Sequence, residues 1–236
     1  MPHSSWAEVY DRAYNQVYGN VYTRLTSLTV GQVKTELPPP ASIVDFGAGT
    51  GRLSIPLTEL GYSVTAVEPC PEMLVQLKGK PGGTKITTVT CSMQDFVTVA
   101  KFDIALCVFT VILYLRDEAT LDASIAAAAA ALCPGGLLFL DIPSRAVFQG
   151  HSISVGDLRR EISVVPKNEN LYSYKERITI IESGKTITRT DEFEIKYWDE
   201  RLVFMALEKN GFRLKKDLSE VFLGTGSKYL LLEKAR

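Results

Sequence analysis

The chain has 236 residues, 46% of them apolar and 22% charged, with 26 basic against 27 acidic side chains and a net charge of −1. That balance excludes a broad electrostatic attraction for nucleic acid or an anionic membrane, and the length is ample for one α/β domain with a sizeable core. The N-terminal Met1-Pro2-His3-Ser4-Ser5-Trp6 lacks a basic region followed by an apolar run, and the longest apolar stretch, Ile104 to Leu115, is too short to span a bilayer, so a soluble, cytoplasmic protein is expected.

Taken in order, residues 7–33 place Tyr10, Tyr14, Tyr18 and Tyr22 four apart, a helical spacing within an N-terminal helical cap of residues 1–37. Such an aromatic stripe ordinarily packs a helix onto its domain. Pro38, Pro39 and Pro40 stop the helix and lead into Ile43-Val44-Asp45-Phe46-Gly47-Ala48-Gly49-Thr50-Gly51-Arg52-Leu53, which reads as strand, tight turn and helix. Glycines at such a turn permit positive φ and let a ligand lie on bare backbone, and the following helix start aims unpaired N–H groups at the same spot. The cradle favours a carboxylate or phosphate. A dinucleotide fingerprint would place its third glycine where Arg52 stands, so the turn is GxGxG and not GxGxxG. Ser63 to Val67 is the second strand, and Glu68 sits at its carboxyl end, where a doubly wound sheet presents an acid to ribose hydroxyls.

The turn, the preceding Asp45 and the following Glu68 together resemble the first two motifs of class I S-adenosylmethionine (SAM)-dependent methyltransferases, and the likeness extends from about Trp6 to the C-terminus. The resemblance implies SAM as cofactor, held by Asp45, Gly47, Ala48, Gly49, Thr50 and Gly51 at the turn and by Glu68, Pro69 and Met73 beyond the second strand. It further assigns adenine contacts to Ser92, Met93, Gln94, Asp95 and Phe96, adds Cys107 of the fourth strand to the cofactor-binding residues, and puts Phe109, just after that strand, near the transferred methyl. Asp95 as a plain helix cap competes with its adenine role. Tyr10-Asp11-Arg12-Ala13-Tyr14 matches an N-terminal Tyr-Asp-x-x-Tyr segment that folds over the cofactor in these enzymes, which adds Tyr14 and Tyr22.

Further along, Lys85 to Cys91 is a third strand and Phe102 to Val108 a central parallel strand. Phe109-Thr110-Val111-Ile112-Leu113-Tyr114 stands where methyltransferases of exocyclic base amines carry Asn/Asp-Pro-Pro-Tyr/Phe; the tetrapeptide is absent, which argues against nucleic-acid bases as acceptors. Asp117 to Leu132, with the six-alanine run Ala126 to Ala131, is a helix, and Leu137 to Ile142 a fifth strand. Between Leu158 and Tyr197 the period changes to two, with turns at Asn168-Glu169-Asn170 and Ser183-Gly184-Lys185, so an antiparallel insertion of about three strands is expected over residues 154–198. It can roof a substrate pocket or pair with a second copy of the chain. A helix from Asp199 to Asn210 and a hairpin of Phe212 to Leu218 with Ser227 to Glu233 complete a doubly wound, seven-stranded Rossmann-like α/β sheet with a C-terminal antiparallel hairpin.

Methyl transfer from a sulfonium is an in-line displacement in which alignment and exclusion of water are the protein's main tasks. An amine arriving neutral needs little acid–base help, whereas a hydroxyl more often needs a base. Tyr14 and His151 are the catalytic candidates, with Asp141, Arg145, Tyr114 and Tyr174 as further pocket residues; His3 is expected in a frayed terminus. Cys70, Cys91, Cys107 and Cys133 lie far apart with no CxxC pair or neighbouring histidine, and are read as reduced thiols and not metal ligands. The sequence thus points to a SAM-dependent methyltransferase acting at N or O of a small molecule, with a non-catalytic SAM-binding protein and an NAD(P)-dependent oxidoreductase as alternatives.

Overall fold

The computed structural model describes residues 2–182 and 184–235; Met1, Arg236 and Ser183, the first residue of the second expected turn, lie outside the described residues. After a short helical turn at Ser4–Val9, helix α1 covers Tyr10–Glu36 and is broken at Gly19, whose φ of 42° and ψ of −118° are non-helical. The periodic run of residues 7–33 is therefore two helical pieces. The first packs Ala13, together with Trp6 of the preceding turn, against one sheet, and the second packs Val33 into the core of another.

Strands β1 (Ser42–Phe46), β2 (Ser63–Val67), β3 (Thr87–Val89), β4 (Phe102–Cys107) and β5 (Leu132–Pro143) run parallel, connected through helices α2 (Ser54–Glu59), α3 (Pro71–Gly79) and α4 (Glu118–Ala131). Neighbouring residues of each strand enter opposite layers, as a period of two demands. Val44, Ala105 and Leu138 face Leu121, Ile125 and Ala128 of α4, while Ile43, Ile104 and Phe139 face Leu57 and Leu77. The alanine face of α4 lets that helix sit close to the sheet, and Asp117 caps it by accepting from Thr120 N at 2.7 Å.

The insertion is a separate antiparallel sheet of four strands, β6 (His151–Val155), β7 (Leu158–Pro166), β8 (Leu171–Glu182) and β9 (Lys185–Lys196), paired in that order. The expected three strands miss β6 because it is only five residues long and largely exposed, with little hydrophobic pattern to betray it. Leu158, Ile178 and Ile180 on the inner face meet Trp6 and Ala13. Helix α5 (Glu200–Lys209) then leads to β10 (Phe212–Asp217) and β11 (Ser227–Lys234). The main sheet has the order β10-β11-β5-β4-β1-β2-β3, with β11 antiparallel to both neighbours.

His3 departs from its expected place. Its side chain is 12% exposed and lies among Trp6, Tyr10, Tyr114 and Phe193, ring to ring at 5.1–6.1 Å. The aromatic neighbours draw the segment in, so the terminus is docked.

Candidate functional site

A cavity of about 630 Å³ opens at the carboxyl ends of the parallel strands, enclosed by the first half of α1 and the inner face of the insertion. Its floor is the turn after β1. Gly47, Gly49 and Gly51 all have positive φ, at 69°, 56° and 86°. A Cβ at Gly47 would fall 2.6 Å from Val111 Cγ2 and one at Gly51 2.8 Å from Leu77 Cγ, whereas at Gly49 the nearest atom, Met73 Cε, is 3.7 Å away. The outer two glycines therefore answer to packing as well as conformation, and the middle one to backbone conformation.

Glu68, at the end of β2, ties this turn down. Gly49 N donates to Oε2 and Cys70 N to Oε1, both at 3.0 Å. Burial raises the carboxyl's pKa and the two backbone donors oppose that rise. Each oxygen keeps a lone pair, so ribose hydroxyls could still donate to it.

Asp45 lines the cavity and accepts from Ser54 Oγ at 2.6 Å; its burial pushes the carboxyl up to about 6, against the pull of Arg52. Asp141 lies behind the wall, likewise raised by burial to about 6, and accepts from Thr110 N at 2.9 Å. That bond holds Phe109 and Thr110 in the left-handed region, at φ 66° and 70°, which non-glycine residues seldom adopt. Phe109 thereby faces the cavity, and the Arg52 guanidinium lies between its ring, 3.2 Å from the centroid, and that of Tyr22, at 4.1 Å. Arg52 Nη2 is buried without a hydrogen-bond partner among the described residues.

The expected site residues fall into three groups. Tyr14, Tyr22, Asp45, Gly47, Ala48, Gly49, Thr50 and Phe109 line the cavity together with Tyr114, Tyr174 and His151. His151 is exposed at the mouth, its Nε2 3.5 Å from the Tyr18 hydroxyl. Glu68, Pro69 and Met73 lie outside the cavity lining, and Ala7 and Tyr10 of the N-terminal segment pack on Cys70 and Met73. The third group lies in the segment after β3 and at the end of β4: Ser92 bonds Asp95, which is exposed beside Gln94, while the side chains of Met93, Phe96 and Cys107 are buried in the core. Cys107 Sγ is 3.8 Å from Met93 Sδ, and Phe96 packs edge-on to Phe46. These three point into packed apolar surroundings, and Gly51 faces Leu77.

Arg145 does not join the pocket. It donates to the Tyr172 hydroxyl at 3.0 Å and Asn170 Oδ1 at 2.9 Å and stacks on Tyr197, fastening the turn between β7 and β8. Among the cavity residues outside the sequence expectation are Arg52, His3 and Arg160. Arg160 is 1% exposed on β7 and forms an ion pair with fully buried Glu176 of β8. The available signal was a lone cation between Leu158 and Ile162, and a lone acid before Ile178 and Ile180, on faces that otherwise read as apolar. Among the described residues no group of three or more His, Cys, Asp and Glu side chains could hold a metal ion.

Residues 43–136 match a family model described as a methyltransferase domain. A ubiquinone biosynthesis O-methyltransferase of Xanthomonas axonopodis pv. citri (strain 306) is 31% identical over 112 residues, 46% of this chain and 45% of that protein. The chain spans about half the length of the curated relatives it matches, 45% and 56% of them. Among solved structures, a SAM-dependent methyltransferase from Clostridium acetobutylicum ATCC 824 superposes with a TM-score of 0.84 at 16% identity, covering 97% of this chain and 99% of that one. The sugar N-methyltransferase KedS8 from Streptoalloteichus sp ATCC 53650 gives 0.78 at 19%, over 97% and 93% of the two chains. The SAM-bound amino pentose methyltransferase CalS10 from Micromonospora echinaspora gives 0.76 at 19%, over 96% and 97%. At such identities the likeness is one of fold. Residues 43–136 carry the similarity to the methyltransferase-domain model, and the glycine turn, the acid after β2 and the order of the seven strands give the chain the fold of the SAM-dependent methyltransferases on which it superposes.

Proposed function

We propose that the protein transfers a methyl group from SAM to a nitrogen or oxygen of a small-molecule acceptor. The observation that carries this reading is the Glu68 carboxylate bonded to the backbone of the glycine turn, at the edge of an aromatic cavity roofed by the insertion. The residues present suit the cofactor. Glu68 retains acceptor capacity for ribose hydroxyls, Gly49 has no neighbour closer than ordinary van der Waals contact, and Arg52 offers an unpartnered buried donor beside Asp45.

Bound SAM would supply a sulfonium-activated methyl. The chain's own part is to fix the acceptor and keep water out. Tyr14, Tyr22, Phe109 and Tyr114 provide an apolar, polarisable wall with hydroxyl tips, and the four-stranded insertion covers it. Tyr14, on the cavity wall, serves in this reading to orient an acceptor, and His151, at the exposed mouth, to take up a released proton. The enclosed cavity supports a small acceptor over a nucleic-acid one. The named sugar N-methyltransferase and the O-methyltransferase relative support nitrogen and oxygen chemistry respectively. Four free cysteines fit a reducing cytoplasm, and no helix among the described residues is long and apolar enough to cross a membrane.

Isothermal titration of the chain with SAM, S-adenosylhomocysteine and NAD in parallel tests the reading. Binding of the two adenosyl ligands alone is expected. A folded chain that binds neither, or binds NAD instead, overturns it.

A further inference from the structure

At the inner end of the cavity several buried polar atoms lack partners among the described residues: Arg160 Nη1, Glu176 Oε2, His3 Nδ1 and Trp6 Nε1. Buried polar atoms are nearly always satisfied, and these donors and acceptors, gathered at one spot, suit a polar ligand group. Arg160 is the member that lines the cavity with a fixed charge. Its Nε donates to Glu176 Oε1 and its Nη2 to the Tyr14 hydroxyl at 3.3 Å, with the guanidinium over the rings of Tyr14 and Tyr18 at 4.4 and 5.1 Å. Two of its three nitrogens are engaged, and the third is an unpartnered donor on a side chain only 1% exposed.

Glu176 does not line the cavity. It stands behind Arg160 and turns Oε2 toward His3 Nδ1, 3.8 Å away, while His3 Nε2 is 2.9 Å from the Tyr114 hydroxyl. Burial and the charge of Arg160 push His3 down to about 3, so at neutral pH it is an uncharged imidazole. Arg160 and Glu176 together carry no net charge. A carboxylate or phosphate entering here would bring an uncompensated buried anion, while a neutral oxygen takes the Nη1 hydrogen bond without that penalty. The hydroxyls of Tyr14, Tyr114 and Tyr174 surround the position and can donate or accept.

We infer that Arg160 is the specificity-determining residue for the methyl acceptor, its Nη1 donating to an uncharged hydroxyl or carbonyl oxygen, and that Glu176 is the positioning residue that aims it. The inference rests on the proposed methyltransferase reading and names the chemical class of acceptor: neutral and oxygenated on the side away from the methylated atom.

The test uses the full chain loaded with S-adenosylhomocysteine and two probes that share a ring, methyl glucopyranoside and glucuronate, followed by saturation-transfer NMR titration. The neutral ring is expected to bind the unaltered chain and to outcompete the uronate. Affinity should fall about tenfold or more in the double variant Arg160→Met/Glu176→Met, which removes both charges together and strands neither. Arg160→Lys keeps the charge but not the planar fork, and is expected to lose binding similarly, which covers the case of a double variant that does not fold. No binding of the neutral ring, tighter binding of the uronate, or undiminished binding by a folded variant overturns the assignment. Calorimetry with S-adenosylhomocysteine on the same samples separates the two layers: its failure to bind defeats the methyltransferase reading, and the probe titration on the free chain then decides the role of Arg160 by itself.

Discussion

Replacing Gly51 and Gly49 by alanine, one at a time, separates packing from ligand contact within a single turn. At Gly51 the new methyl would lie 2.8 Å from Leu77 Cγ and 3.0 Å from its Cδ1, in a residue held at φ 86°. A left-handed conformation costs a non-glycine residue about 1–2 kcal/mol, and forcing a methyl into a filled core adds roughly 1–3 kcal/mol. The sum, about 2–5 kcal/mol, is a large fraction of the roughly 5–15 kcal/mol that holds a domain folded. At about 2–4 °C per kcal/mol for a chain of this size, Gly51→Ala should lower Tm by roughly 4–20 °C. At Gly49 the φ of 56° carries the conformational cost, but the nearest atom is an ordinary 3.7 Å away. Its Tm should fall by only about 2–8 °C, while affinity for S-adenosylhomocysteine drops at least about tenfold as the methyl intrudes on the cradle. Thermal unfolding and titration calorimetry on the two variants read both quantities. Equal loss of Tm, or unimpaired binding by Gly49→Ala, would show that the cradle is not where the turn puts it.

Two further expectations follow from buried acids. Asp141 is held at about 6 in the folded chain against 3.8 as the reference value, so its stabilising contribution is complete below about pH 4 and is lost as pH rises through 6, a change of about 3 kcal/mol. Asp141→Asn keeps an acceptor for Thr110 N and should raise Tm by roughly 6–12 °C at pH 7.5 with little change at pH 4; an equal gain at both pH values would refute the cause. Glu68→Gln keeps an acceptor oxygen for one of the two backbone donors and turns an NH2 toward the other, so it should weaken S-adenosylhomocysteine binding and lose about half the stability that the alanine variant loses. Glu68→Ala strands both N–H groups at about 1–3 kcal/mol each and should lose the full amount, a contrast that unfolding scans measure directly.

The parts of the fold read most easily were those where local chemistry and tertiary role agree. The buried run around Ile104, the strand-turn-helix at Asp45 to Leu53 and the acid at Glu68 each carry their signal within a few residues. The missed features depend on contacts between distant segments. Arg160 and Glu176 meet diagonally across β7 and β8, where Arg160 stands opposite Ile178 and Ile162 opposite Glu176, so their pairing needs the register. His3 is placed by rings from three other segments. Arg145 sits two residues beyond β5 as expected for a pocket side chain, yet the amide and hydroxyl offered by Asn170 and Tyr172 turn it away. Gly19 lies inside an unbroken helical period, and its left-handed φ leaves no trace in that pattern.

The seating of β11 between β5 and β10 bears on how the chain is made. As synthesis proceeds, β5 emerges with β4 on one side and nothing on the other, and more than eighty residues follow before its second neighbour is available. During that interval Leu138, Leu140 and their backbone groups form a long apolar edge, the kind of surface that recruits strands from other molecules. The four-stranded insertion is made within the same interval, and it can pair within itself meanwhile because its partners are adjacent in the chain. A chain released before Ser227 would therefore carry a formed roof over an unfinished floor, and would be found in aggregates and not in solution.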